Sequence, residues 1–174
     1  MNWRALSIVV VLIGLVGASV ACGAEGDAPG KLRVGVYDSR AVALAYGRSG
    51  EFEARISTLK ADRAAAGAAG DSVRVKELGA EGSWLQERMH MQVFGNLPVD
   101  DILEGRGELI AEVARSTGVE VIVPSVAWSG EAVEIVDVTE GFAKQFGADE
   151  QTLEMVRQMK TVDPVRLPFD FGDE

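Results

Sequence analysis

Cysteine and histidine are almost absent from this 174-residue chain, with Cys22 and His90 the only ones. A single thiol excludes internal disulfides, so stability has to come from core packing. One histidine and no Gly-x-Ser-x-Gly segment leave nucleophile-base triads without their parts. Basic residues are also short, at 17 against 27 acidic, for a formal net charge of −10. That balance excludes nucleic-acid binding through phosphates and docking on anionic lipid through basic patches. Gly105-Arg106-Gly107 lies inside a helical stretch and not after a strand, so a phosphate cradle is unsupported. No apolar run reaches the roughly 20 residues that span a bilayer.

The start of the chain is informative. A short basic opening with Arg4 precedes an apolar run from Ala5 to Val16, then small residues from Gly17 to Ala21. This is the layout of a secretory signal peptide over residues 1–21. Arg4 is its one charged side chain, so its removal leaves 16 basic against 27 acidic residues, a net charge of −11. Cys22 follows at once, and Val20-Ala21-Cys22 resembles the end of a bacterial lipobox, with Ser19 where a large apolar residue is usual. The expectation is lipidation at Cys22, an exported protein of the periplasm or cell envelope, and a membrane held only through that anchor. Ordinary cleavage after Ala21 or Ala24 is the alternative. Residues 22–30 are small and polar, a flexible tether.

About 144 residues remain, enough for one domain with a real core. Residues 31–38 alternate as a half-buried strand, with Leu32, Val34 and Val36 on one side and Arg33, Gly35 and Tyr37 on the other. Asp38-Ser39 then caps a helix to Tyr46. Two helices follow, Glu51–Ala66 and Ser72–Val93, around a turn at residues 67–71. Gly95-Asn96-Leu97-Pro98 breaks the chain before a helix that starts at Val99-Asp100-Asp101 and stops at Gly118. Residues 119–124 read as a strand buried on both faces, and Ala132–Val138 as a third strand. The short link between those two implies antiparallel pairing. Thr139 is expected to cap Glu140–Phe146, and Asp149 a last helix to Lys160, before a tail over residues 161–174. The fold class is α+β: a small antiparallel or mixed sheet of about three strands, with a long helical hairpin, residues 51–93, between strands 1 and 2.

Two stretches carry a family resemblance. Leu32 to Arg40 (LRVGVYDSR) is similar to the opening strand and polar exit of the Skp/OmpH-like periplasmic chaperones. Ile110 to Phe146 resembles that family's closing segment: helix, strand, turn, a second strand ending in Asp-x-Thr (Asp137-Val138-Thr139), then helix. The resemblance implies a domain over residues 31–160, homotrimers built on a central sheet barrel, and helical arms that hold unfolded outer-membrane proteins.

Partner contacts are therefore expected on the arm, at Phe52, Ile56, Leu59, Leu78, Trp84, Leu85 and Met89. No catalytic residue, metal site or cofactor is expected. His90 stands between Met89 and Met91, but neighbouring helix positions point about 100° apart and do not converge on one ion. Asp100, Asp101 and Glu104 read as acids that complement a helix start. Trp128, in the turn before the third strand, is left between core and contact surface. The leading reading is an exported, lipid-anchored, non-enzymatic chaperone-like protein that self-associates. Residues 51–93 carry six basic and seven acidic residues, a short acidic arm that keeps open an assembly lipoprotein binding one folded envelope partner. A small metal-binding or hydrolytic protein using the acidic cluster and His90 comes third.

Overall fold

The computed structural model of the protein describes residues 30–165. The expected signal peptide, Cys22, and Phe169 and Phe171 of the expected tail lie outside the described residues. The alternating residues form β1 (Leu32–Val36), and Asp38 caps the next helix, its carboxylate accepting the Arg40 N–H at 2.9 Å. That helix, α1 (Ser39–Gly47), is built of small apolar residues, and Ala41, Val42, Ala43 and Ala45 are buried to 1% exposure or less. Ser49 ends the break at Gly47 and caps α2 (Gly50–Ala68), accepting from the Phe52 N–H. A turn through Gly70, at φ 75°, leads into α3 (Ser72–Phe94), capped by Asp71. The expected hairpin is present, its ends within two residues of the sequence reading.

The helix expected from Val99 to Gly118 is two helices, α4 (Asp100–Leu103) and α5 (Gly107–Thr117). Gly105 takes φ 72° between them, a left-handed turn open to glycine that reverses the chain where a side chain would be strained. Next come β2 (Val121–Val123), β3 (Val133–Asp137), α6 (Thr139–Gln145) and α7 (Glu150–Met159), the last capped by Asp149 through the Thr152 N–H. The fold is α+β, with helices inserted between the first two strands of a three-stranded sheet.

The sheet runs in the order β2-β1-β3, and both pairings are parallel. This corrects the antiparallel pairing expected from the short link. Residues 124–132 are too many for a tight turn and, at about 30 Å when extended, long enough to carry the chain back past β1 to its far side. Thr139 is likewise corrected. It is the first residue of α6, its N–H goes to Asp137 Oδ1, and its hydroxyl accepts the Asp38 N–H at 3.0 Å. It ties the end of β3 to the end of β1.

The core lies on the glycine side of β1. A Cβ built on Gly35 would stand 2.9 Å from Val138 Cγ1 and 3.2 Å from Val119 Cγ2, so helix-side valines press directly on this backbone. Tyr37 meets Phe142 edge-on at 5.1 Å, and Ile122 and Val136 face the same way from the flanking strands. Met89 and Val93 of α3 and Leu153 and Val156 of α7 close the core around α1.

Candidate functional site

Register decides what the other side of the sheet carries. Val34 pairs with Val121 and Ile135, Val36 with Val123 and Asp137, and Leu32 with Val133. Paired residues share a face, so seven apolar side chains form rows across three strands opposite the core. None of the seven belongs to the core cluster, and Leu32, Val121 and Ile135 are 45, 43 and 40% exposed. β2 is therefore buried on one face only, through Ile122, which corrects the reading of residues 119–124 as buried on both. Isolated exposed apolar residues are ordinary, whereas a contiguous apolar face marks an interaction site. The link 124–132 borders it. Trp128 is 83% exposed there and lines, with Val36, Ile135 and Asp137, an open groove of about 660 Å³.

The hairpin is the second exposed feature. α2 has no buried residue along its 19 positions, and its packing partners are α3 and, at its base, α1. Leu78 and Leu85 are buried but stand outside the core cluster, so they form a seam belonging to the hairpin alone. Beside that seam lies a groove of about 550 Å³, lined by Phe52, Ile56 and Leu59 of α2 and by Leu78, Gly79, Gly82 and Met89 of α3. Helical spacing at i, i+3 and i+4 puts these residues in one line, and the two glycines leave it open. Lys60 and Arg63 are its only charged lining residues, and His90 lies at its lower end. Five of the seven expected contact residues thus meet in one groove. Leu85 is spent in the seam. Trp84 is 54% exposed and outside the groove, under the Arg88 guanidinium at 5.6 Å.

The base of the hairpin is pinned by charge. Arg106 forms a bidentate pair with Glu51 in the first turn of α2 and lies over the rings of Tyr46 and Phe146 at 5.4 and 5.7 Å. Arg88 on α3 pairs with Asp101 at 2.7 Å, and the fully buried Gln92 donates to Asp101 and to the Pro98 carbonyl. Asp101 is thus a clamp that folds α4 back onto α3. The Arg106 guanidinium holds the Glu51 carboxyl below the usual carboxylate range, and Arg88 does the same for Asp101, against the opposing effect of burial. Carboxyls with lowered folded pKa values stabilise above their unfolded pKa of about 4, and that stabilisation is lost as pH falls through the folded values. The urea midpoint is therefore expected to drop between pH 5 and about pH 2, with Glu51→Gln flattening part of that drop. An unchanged midpoint over this range would dismiss the clamp.

Gly82 offers a test of the groove itself. Its added Cβ would meet Leu59 Cδ2 at 3.4 Å, a contact a leucine end can accommodate. Gly82→Ala is expected to stabilise α3 by about 1 kcal/mol while narrowing the groove. A calorimetric midpoint a few degrees higher, with weaker partner binding, is the expected pair of readings.

Asp38, Asp137, Thr139 and Lys160 gather at the carboxyl ends of the strands, but their charges are mutually satisfied. Asp38 pairs with Arg40, and Asp137 with Lys160. Among the described residues, no cluster of three His, Cys, Asp or Glu side chains is placed to hold a metal, and no helix is long and apolar enough to cross a membrane. The open sheet face was missed in the sequence, although one signal was there: Gly35 between two valines marks the side where a backbone is closely approached. Comparison with protein-family models, with curated proteins and with solved structures finds no match to this chain.

Proposed function

We propose that this chain is an exported, lipid-anchored, non-enzymatic chaperone-like protein that self-associates and holds unfolded outer-membrane or other envelope proteins along its helical hairpin. The observation that carries this reading is the hairpin: α2 buries no residue, yet an apolar groove runs between it and α3. A helix contributing so little to the core costs stability to keep extended, and an apolar groove offers client segments somewhere to bury side chains. The uncovered sheet face supports association of copies through β1, β2 and β3, as a homotrimer if the Skp/OmpH-like resemblance carries over. The likeness of residues 32–40 and 110–146 to that family supports the same assignment.

Near-stoichiometric suppression of aggregation of an unfolded outer-membrane protein is the expected result. Aggregation that proceeds unchanged at several-fold excess would sink the holding role. The hairpin's modest length, about 34 Å along α3, favours a second reading, an assembly lipoprotein that seats one folded partner. Recovery of a single stoichiometric partner from envelope extracts, without aggregation suppression, would select it.

A further inference from the structure

The groove on the hairpin ends at His90, one helical turn short of Phe94. On α3 the residues lining it recur at 79, 82, 83, 86, 89 and 90, a stripe whose next position is Phe94. The His90 and Phe94 rings meet edge-on at 5.6 Å. The Phe94 carbonyl accepts the Val165 N–H at 2.8 Å, so the last described residue is fastened to the foot of the same stripe. Its approach is fixed too, because Arg40 donates to the carbonyls of Met159 and Val162 at 3.2 and 2.7 Å. Residues 166–174 (RLPFDFGDE) start from that point.

We infer that residues 166–174 dock back into the hairpin groove, where Phe169 and Phe171 occupy it and regulate access by other proteins. Reach agrees. From Val165, an extended chain places residue 169 about 13 Å and residue 171 about 20 Å up the helix. Gln86 and Gly82 stand about 12 and 18 Å above Phe94. Charge agrees as well. The segment holds three acids, Asp170, Asp173 and Glu174, against one base. The groove's two charged lining residues, Lys60 and Arg63, are both cationic, in a chain that is acidic as a whole. Apolar side chains alternating with carboxylates suit an apolar floor with a basic rim.

This inference rests on the groove being the client site, and it sets the strength of regulation. A short tether supplies an effective concentration on the order of 1 mM. A segment binding with a dissociation constant of about 0.1 mM would then fill the groove about nine-tenths of the time and lower apparent client affinity about tenfold.

The test compares the full chain with its Phe169→Ala/Phe171→Ala variant, using a fluorescent synthetic peptide of residues 166–174 as probe. The variant is expected to bind the peptide about tenfold more tightly than the wild-type chain. Lys60→Glu/Arg63→Glu added to that variant should weaken binding and its salt dependence. Hydrogen exchange over residues 52–63 and 78–90 should be faster in the variant than in the wild type. Equal peptide binding by both chains, or none by the variant, would overturn the inference. Aggregation suppression by the variant separates the two ideas. If the peptide binds and suppression is absent, docking stands and the holding role fails; if suppression is present and the peptide does not bind, the reverse holds.

Discussion

Ile135→Asp is expected to abolish the proposed self-association without unfolding the chain. Ile135 lies in the middle row of the open face, beside Val34 and across β1 from Val121. In a lone protomer its side chain is 40% exposed, so a carboxylate there reaches water, and lost strand propensity and apolar contact cost about 1–2 kcal/mol, less than the stability of a domain this size. In an interface made of these rows the same carboxylate would be buried without a partner. The cost of several kcal/mol corresponds to at least a hundredfold weaker association. Val121→Asp, on the opposite edge strand, should act alike. Light scattering over micromolar concentrations reads the mass, and circular dichroism checks that the protomer stays folded. A wild-type chain that already runs as a monomer, or an Ile135→Asp chain of unchanged mass, would remove the open face from the assembly.

Phe142→Ala should have the largest effect on the fold itself. Phe142 is fully buried, meets Tyr37 at the exit of β1 edge-on, and sits where α6 closes the core over β1. Truncating a buried phenylalanine removes its transfer free energy and leaves a cavity, together about 3–5 kcal/mol. Domains of this size are stable by about 5–15 kcal/mol, so the variant should be marginal at room temperature. Urea unfolding followed by circular dichroism gives the number. A loss below about 1 kcal/mol would mean that the core is organised elsewhere. The two substitutions act on opposite faces of one sheet. Ile135→Asp should alter mass more than stability, and Phe142→Ala should do the reverse.

Much of the local structure was legible without coordinates. Asp38 and Asp149 sit where helices begin, and each carboxylate accepts an N–H of the first turn; Asp71, read only as part of a turn, does the same for α3. Phe52, Ile56 and Leu59 are spaced by three and four, which suffices to place them on one face of α2, and Leu78 and Met89 share a face of α3 by the same arithmetic. Capping and helical period are short-range, involving atoms a few residues apart, so they are written in consecutive letters. Leu85 shows the limit. Both it and Leu78 are buried in the hairpin seam, yet only Leu78 also lines the groove.

Strand partners obey no such local rule. β2 has only three residues, and its pairing depends on where a nine-residue link can reach after the helices have packed. Leu32, Val34 and Val36 form the more apolar side of β1, but Gly35 and Tyr37 face the core. The helix-side valines, Val119 and Val138, need close approach to backbone, and only the glycine side grants it. The alternating and 3.6-residue patterns of the sequence by themselves determined most of the helices and the α+β class, but not the break at Gly105 between α4 and α5 or the start of α6. The tertiary structure alone decided strand direction, the uncovered face and the fastening of Val165 to the end of α3 at Phe94. Those depend on contacts between residues tens of positions apart, and their free energies exist only once the whole chain has assembled.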